Sequence, residues 1–138
     1  MINMRHQFNF PLTKNQFRLW AVNVKPMVNL GQVMVKKLLE EKKPGVIVNV
    51  SSQASLLGMP RHTTYGATKA AMDQITRVMA TELGPHNIRV NAVNPTVTLT
   101  PMGAAFWGSD PQKASKMKSR IPLGKFAGIF QKVGLLFF

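Results

Sequence analysis

Between Val46 and Lys69 the sequence reads VIVNVSSQASLLGMPRHTTYGATK, and this stretch limits the fold more than any other. Val46 to Val50 is a short apolar run rich in β-branched residues, the kind buried in parallel sheets. It ends in two serines, and a loop from Gln53 to Thr64 with Gly58 and Pro60 follows. From about Tyr65 to Leu83, Ala67, Ala70, Ala71, Ile75, Val78, Met79 and Leu83 recur at helical intervals until Gly84-Pro85 stops the helix. A second strand-like run, Arg89 to Val93, comes next. With a helix ahead of Val46, the order helix, strand, helix, strand is the grammar of a parallel α/β sheet with right-handed crossovers.

That leading helix runs from about Val24 to Glu41, with Pro26 in its first turn, where a missing N–H costs nothing. Met27, Leu30, Met34, Leu38 and Leu39 recur at helical spacing and predict a buried stripe. Lys42-Lys43-Pro44-Gly45 breaks the helix before the strand. Upstream, Thr13 heads a further helical segment, and residues 1–12 show no periodicity and read as a loop. Downstream, Asp110-Pro111 opens a short basic helix reaching about Arg120.

The chemistry-bearing residues lie on this frame. Tyr65 and Lys69 are four apart, so a helix puts them on one face with the ammonium beside the phenol. A tyrosine of ordinary pKa, about 10, is brought towards working range by a nearby cation and becomes a usable general acid or base. Ser52 stands thirteen positions before Tyr65, at the carboxyl end of the first strand, the edge where open α/β sheets bind ligands. The three side chains can converge on one carbonyl oxygen.

Ser52, then Tyr65 and Lys69 in the form Y-x-x-x-K, with NVSS upstream and ELGPHNIRVNAVNPT and RIPLGKFA downstream, resembles the short-chain dehydrogenase/reductase family, and within it the carbonyl and xylulose reductase branch. The resemblance covers roughly residues 13–127; the apolar end, 128–138, departs from the family pattern. It implies the catalytic half of a Rossmann-like, doubly wound parallel sheet, without the N-terminal cofactor-binding βαβ units. It also implies NADP(H)-dependent reduction of a carbonyl compound, such as a ketopentose or an α-dicarbonyl.

In that reading Tyr65 protonates the developing alkoxide and Ser52 orients the same oxygen. Lys69 holds the cofactor ribose, and Asn23 helps hold a water beside it. By residues alone Asn23 reads equally well as a helix cap. Pro95 and Val97 offer backbone to the nicotinamide carboxamide, and Thr100 meets the cofactor phosphates. Gln53, His62 and Trp107 match positions lining the substrate pocket in the xylulose-reductase branch, although a surface or packing role serves each equally well. The resemblance further implies a mobile lid near 110–120 and an oligomer, formed with itself or with full-length family members, through the helices Val24–Glu41 and Tyr65–Leu83.

No glycine-rich turn of the G-x-G-x-x-G or G-x-x-x-G-x-G kind occurs in the sequence, although such a turn holds a dinucleotide pyrophosphate. The isolated chain is therefore expected to bind cofactor weakly and to have little activity. With Lys+Arg 18 against Asp+Glu 5, the formal charge of +13 keeps a nucleic-acid partner in view. Short basic runs at Lys36-Lys37, Lys42-Lys43 and Lys116 to Arg120, separated by neutral stretches, read more simply as solvated helix faces. The absence of cysteine rules out a disulfide framework, a thiolate nucleophile and a cysteine metal site, and permits a reducing, cytoplasmic setting. The basic opening lacks the serine content and helical stripe of a targeting leader, and no run approaches the ~18 apolar residues of a membrane span. Asn49-Val50-Ser51 is a sequon by letter, placed on a predicted strand.

Overall fold

The computed structural model describes residues 13–128, so the lead-in 1–12 and residues 129–138 of the apolar end lie outside the described residues. The chain enters through α1 (Lys14–Asn23) and α2 (Lys25–Glu40). The Gln16 side chain returns to the Thr13 N–H at 2.8 Å and closes the start of α1. The two helices are separated only at Val24, whose N–H still donates to Trp20 O and whose carbonyl accepts from Val28 N–H. Pro26 explains the break, because it has no N–H for the carbonyl four residues back and its ring crowds that position.

Two strands follow, β1 (Gly45–Val50) and β2 (Ile88–Val93), joined by α3 (Thr63–Leu83). They pair in parallel, in register from Gly45↔Ile88 to Val50↔Val93, and form a βαβ unit. Between α3 and β2 a short 3-10 turn, Gly84–His86, ends at Asn87 in the left-handed conformation (φ 59°), which asparagine tolerates. Ile47, Ile88 and Val90 form the central core, against Val35 and Leu38 of α2 and Met79, Ala80 and Leu83 of α3. Both helices therefore lie on one face of the sheet.

The opposite face is open among the described residues. Val46, Val48 and Val50 are 54%, 51% and 60% exposed, so β1 is buried on one side only and the expectation of a fully buried strand is corrected. Register decides this, since alternate residues of a strand face opposite ways and only the Ile47 side meets helices. The predicted stripe on α2 is corrected too. Gly31 is buried and Met27, Val35 and Leu38 are half-buried, while Leu30, Met34 and Leu39 are exposed. Helical spacing identified the apolar residues, but only a narrow strip of them meets a neighbour among the described residues.

After β2 the chain forms α4 (Pro101–Gly108), which the sequence reading did not predict, and α5 (Pro111–Lys118), which ends near the expected point. Both follow the same rule, a side-chain cap and then proline: the Thr100 hydroxyl accepts from Gly103 N–H and the Asp110 carboxyl from Lys113 N–H. A second core of Val97, Ala114 and Phe126, flanked by Trp107, Met117 and Ile121, holds this excursion together. Its base is closed by Leu99 N–H to Ala127 O at 2.9 Å and Ala127 N–H to Val97 O at 3.1 Å. A Cβ at Gly103 would collide with the Thr98 carbonyl, so glycine lets α4 start this close to the preceding segment.

Candidate active site

Ser52 stands at the end of β1 as the cap of a 3-10 turn, Gln53–Ser55. Tyr65 and Lys69 lie in the first two turns of α3, which begins at Thr63, two residues earlier than the periodicity suggested. Gly66 brings the two elements together. A Cβ there would sit 2.8 Å from the Ala54 carbonyl, so the turn after Ser52 packs directly on the helix backbone beside Tyr65. The end of β1 is fastened to the same helix by Ser51 Oγ–H donating to Lys69 O at 3.2 Å and by Asn49 Nδ2 donating to Thr76 Oγ1 at 2.9 Å.

The Lys69 ammonium lies 5.8 Å from the Tyr65 ring centroid, one turn along the same helix. Its Nζ donates to the Val50 carbonyl at 2.9 Å. Burial holds its pKa below the ordinary 10.5, and the charge of Asp73, one turn further along α3, pulls it part of the way back. Ser52 Oγ accepts from Ala54 N–H at 3.2 Å, which leaves its own hydroxyl proton available to donate outward.

Asn23, the last residue of α1, sends its Nδ2 to Thr68 Oγ1 at 2.9 Å. Thr68, fully buried, in turn donates to the Tyr65 carbonyl at 2.8 Å. The side chain therefore caps nothing on α2, whose cap position is Val24 without a side-chain bond. Instead it reaches across to the helix turn between Tyr65 and Lys69. His62 is edge-on to Tyr65, ring centroids 6.2 Å apart, with its Nδ1 2.8 Å from the Pro60 carbonyl. Since a carbonyl can only accept, Nδ1 is the protonated nitrogen in that bond.

The remaining expected site residues lie on the loops after the strands. Gln53 N–H donates to Pro95 O at 3.1 Å, linking the loops after β1 and β2. The Val97 side chain is buried in the second core, so what it can offer a ligand is backbone. Thr100 Oγ1 serves as a helix cap and keeps its proton. Trp107 packs on Phe126, 5.4 Å between centroids, and on Phe106, 5.3 Å, and its described contacts are those of a packing residue. An open cleft of about 550 Å³ between the 54–60 loop and α3 is lined by Ala54, Leu57, Met59, His62, Gly66 and Ala70. Of the expected site residues His62 lines it, while Ser52, Tyr65 and Lys69 do not.

Three polar residues escaped the sequence reading. Asp73 and Thr76 are buried on the inner face of α3 alongside Thr68 and Met72, where apolar periodicity predicts aliphatic residues. Asn94 donates from Nδ2 to Asp73 Oδ2 at 2.8 Å and to Ser55 Oγ at 2.8 Å, with Ser52 O further off at 3.3 Å. The signal that could have found Asp73 is its spacing of four from Lys69, on the same helix face.

Among the described residues no group of His, Cys, Asp or Glu is arranged to hold a metal, and no helix is long and apolar enough to cross a membrane. Lys36 and Lys37 of α2, together with Lys43, pair with Glu40 and Glu41, as solvated helix faces do.

A family model described as short chain dehydrogenase matches residues 3–110. The chain is 52% identical over 128 residues to the L-xylulose reductase of Bos taurus, covering 92% of this chain and 52% of that protein. To Carbonyl reductase [NADPH] 2 of Sus scrofa it is 45% identical over 127 residues, covering 91% of this chain and 52% of that one. A solved 4-hydroxyisoleucine dehydrogenase complexed with NADH superimposes with a TM-score of 0.79 at 30% identity, covering 85% of this chain and 48% of the other. The chain thus spans about half the length of the curated relatives it matches. With the strand-end serine, the Y-x-x-x-K helix and the parallel βαβ unit all in place, the chain belongs to the short-chain dehydrogenase/reductase family.

Proposed function

We propose that this chain carries the catalytic half of an NADP(H)-dependent reductase acting on a small, hydroxylated carbonyl compound, a ketopentose such as L-xylulose or an α-dicarbonyl. The observation that carries the reading is the junction of the Ser52 turn with the Tyr65 helix at Gly66, which supports a common place for a hydroxyl donor, a phenol and an ammonium near one strand end. Identity to an L-xylulose reductase and to a carbonyl reductase named for NADPH supports the substrate class and the cofactor.

The donor set suits the nicotinamide and ribose end of such a cofactor. Lys69 can turn its ammonium from the Val50 carbonyl to ribose hydroxyls, Thr100 keeps a proton to donate, and Pro95 to Val97 offer backbone. When bound, the cofactor supplies the hydride. Ser52 donates its hydroxyl proton to the substrate oxygen and orients it, and Tyr65 delivers a proton to the same oxygen as negative charge develops there. Asn23 steadies the helix turn between Tyr65 and Lys69 through Thr68. Gln53, His62 and Trp107 remain proposed substrate contacts, His62 best supported by its place against Tyr65. The setting we infer is cytoplasmic.

A second reading is favoured by the exposed apolar residues Leu30 and Val33 on α2 and Val78 on α3: the chain assembles through these helices with a copy of itself or with a full-length family member, without turnover of its own. NADPH oxidation by the purified chain with a panel of ketoses and diketones tests the first reading. Turnover is expected to be weak, because the sequence lacks a glycine-rich pyrophosphate turn, and Tyr65→Phe should lower it on the order of 10²-fold or more. A folded chain that neither binds NADPH nor turns over overturns the reductase reading in favour of assembly, which light scattering with a full-length reductase then measures.

A further inference from the structure

The least expected group near the site is a carboxyl. Asp73 is only 7% exposed, lies on the inner face of α3, and has one oxygen, Oδ1, without a hydrogen-bond partner among the described residues. A buried acid in that state is costly unless the bond it does make matters. That bond is from Asn94 Nδ2 to Oδ2 at 2.8 Å. An ionised carboxyl only accepts, so Asn94 must turn its nitrogen, and not its oxygen, towards it. With one amide hydrogen committed to Asp73, the other goes to Ser55 Oγ at 2.8 Å. Ser55, its oxygen now accepting, is left to donate its proton, and it does so to the Ser52 carbonyl at 2.7 Å. In the same turn Ser52 Oγ accepts from Ala54 N–H, which directs its own proton away from the turn.

We propose that Asp73 is a positioning residue: by dictating which way the Asn94 amide faces, it fixes the Ser55 bond and the turn that presents the Ser52 hydroxyl proton to the substrate oxygen. The proposal rests on the reductase reading for its catalytic meaning, but the hydrogen-bond relay itself does not. Without the carboxyl, only the longer 3.3 Å bond to the Ser52 carbonyl still favours this orientation of the Asn94 amide, and it can flip. Its oxygen would then attract the Ser55 proton, and the Ser52 carbonyl would lose its hold. Asp73→Asn retains an acceptor oxygen that can face Asn94, so it should keep the relay. Asp73→Ala should not.

The test uses the full chain. Side-chain amide NMR of Asn94 needs no turnover: Asp73→Ala should shift both Nδ2 protons and the backbone amides of Ser52 and Ser55, while Asp73→Asn should leave the Ser55-bonded proton close to its original position. In the NADPH assay, Asp73→Ala should lower kcat on the order of tenfold with KM for NADPH unchanged, since even a 1 Å misplacement of a reacting group costs up to ~10². In a Ser52→Ala background the same change should cost nothing further, because a residue that acts through Ser52 has nothing left to position. Unmoved Asn94 and Ser55 resonances in Asp73→Ala would sink the proposal. So would a double variant slower than Ser52→Ala by the full additional factor, since that pattern belongs to a general structural role. A wild-type chain without turnover refutes the reductase reading, and the resonances then decide the relay alone.

Discussion

The two sides of the small sheet differ in kind. On the inner side the strand ends and α3 are stitched by directional polar bonds, Asn49 to Thr76, Ser51 to Lys69 and Asn94 to Asp73, over a small aliphatic core. On the outer side Val46, Val48 and Val50 face outward with nothing of the described chain upon them. The inner side is sufficient to define a site. The outer side, together with Leu30 and Val33 of α2, has the apolar composition of an interior, although it is exposed among the described residues. The candidate site and the aliphatic core therefore share the inner side, and the outer side contributes little to either.

The largest effect should come from the aliphatic core. Ile88 is fully buried, so Ile88→Ala should cost about 2–5 kcal/mol in urea unfolding, whereas Val48→Ala on the open face should change stability by about 0.5 kcal/mol or less. Equal losses at the two positions would break the comparison and mean that the outer face is covered in solution. Gly66→Ala should come next, at about 1–3 kcal/mol, because the new Cβ meets a backbone carbonyl that cannot swing aside as a side chain can. It should also abolish whatever NADPH turnover the chain has, as the Ser52 turn is pushed off the Tyr65 helix. A variant with full turnover would show that the junction at Gly66 does not set the site.

The smallest effect is electrostatic. Burial depresses the Lys69 pKa below 10.5 in the folded chain, so the unfolded chain binds this proton more tightly. The penalty is fully present below the depressed value and is relieved as pH rises from there to 10.5, so stability should increase with pH across that alkaline window. Chemical denaturation of wild type and Lys69→Met against pH isolates the contribution. The stability of wild type relative to Lys69→Met should rise towards pH 10.5, and a fall would mean that the Val50 carbonyl and Asp73 outweigh desolvation.

Much of this was legible in the letters. β-Branched runs, the Gly84-Pro85 stop and the Tyr65–Lys69 spacing place two strands and a connecting helix, because these signals are local and the backbone obeys them locally. The α4 helix was legible in principle, as Thr100-Pro101 repeats the cap-and-proline signal of Asp110-Pro111, but too few residues follow for periodicity to speak. What misled was the equation of apolar with buried. In α3 the exposed positions include Ala67, Ala70 and Val78, while the inner face holds Thr68, Asp73 and Thr76. Those polar residues are buried because each finds a hydrogen-bond partner there, on Asn23, Asn94 or Asn49.

The sequence by itself determined the helix-strand-helix-strand order, the family and which three residues are proposed to react, since each depends on residue type and short-range spacing. Only the tertiary structure decided that Asn23 meets Thr68, that Asn94 meets Asp73 and that one face of the sheet stands open. These depend on which residues, 45 or 21 positions apart, the packing of α1 on α3 and of the strand ends on α3 brings within 3 Å, and no local preference encodes such a distance.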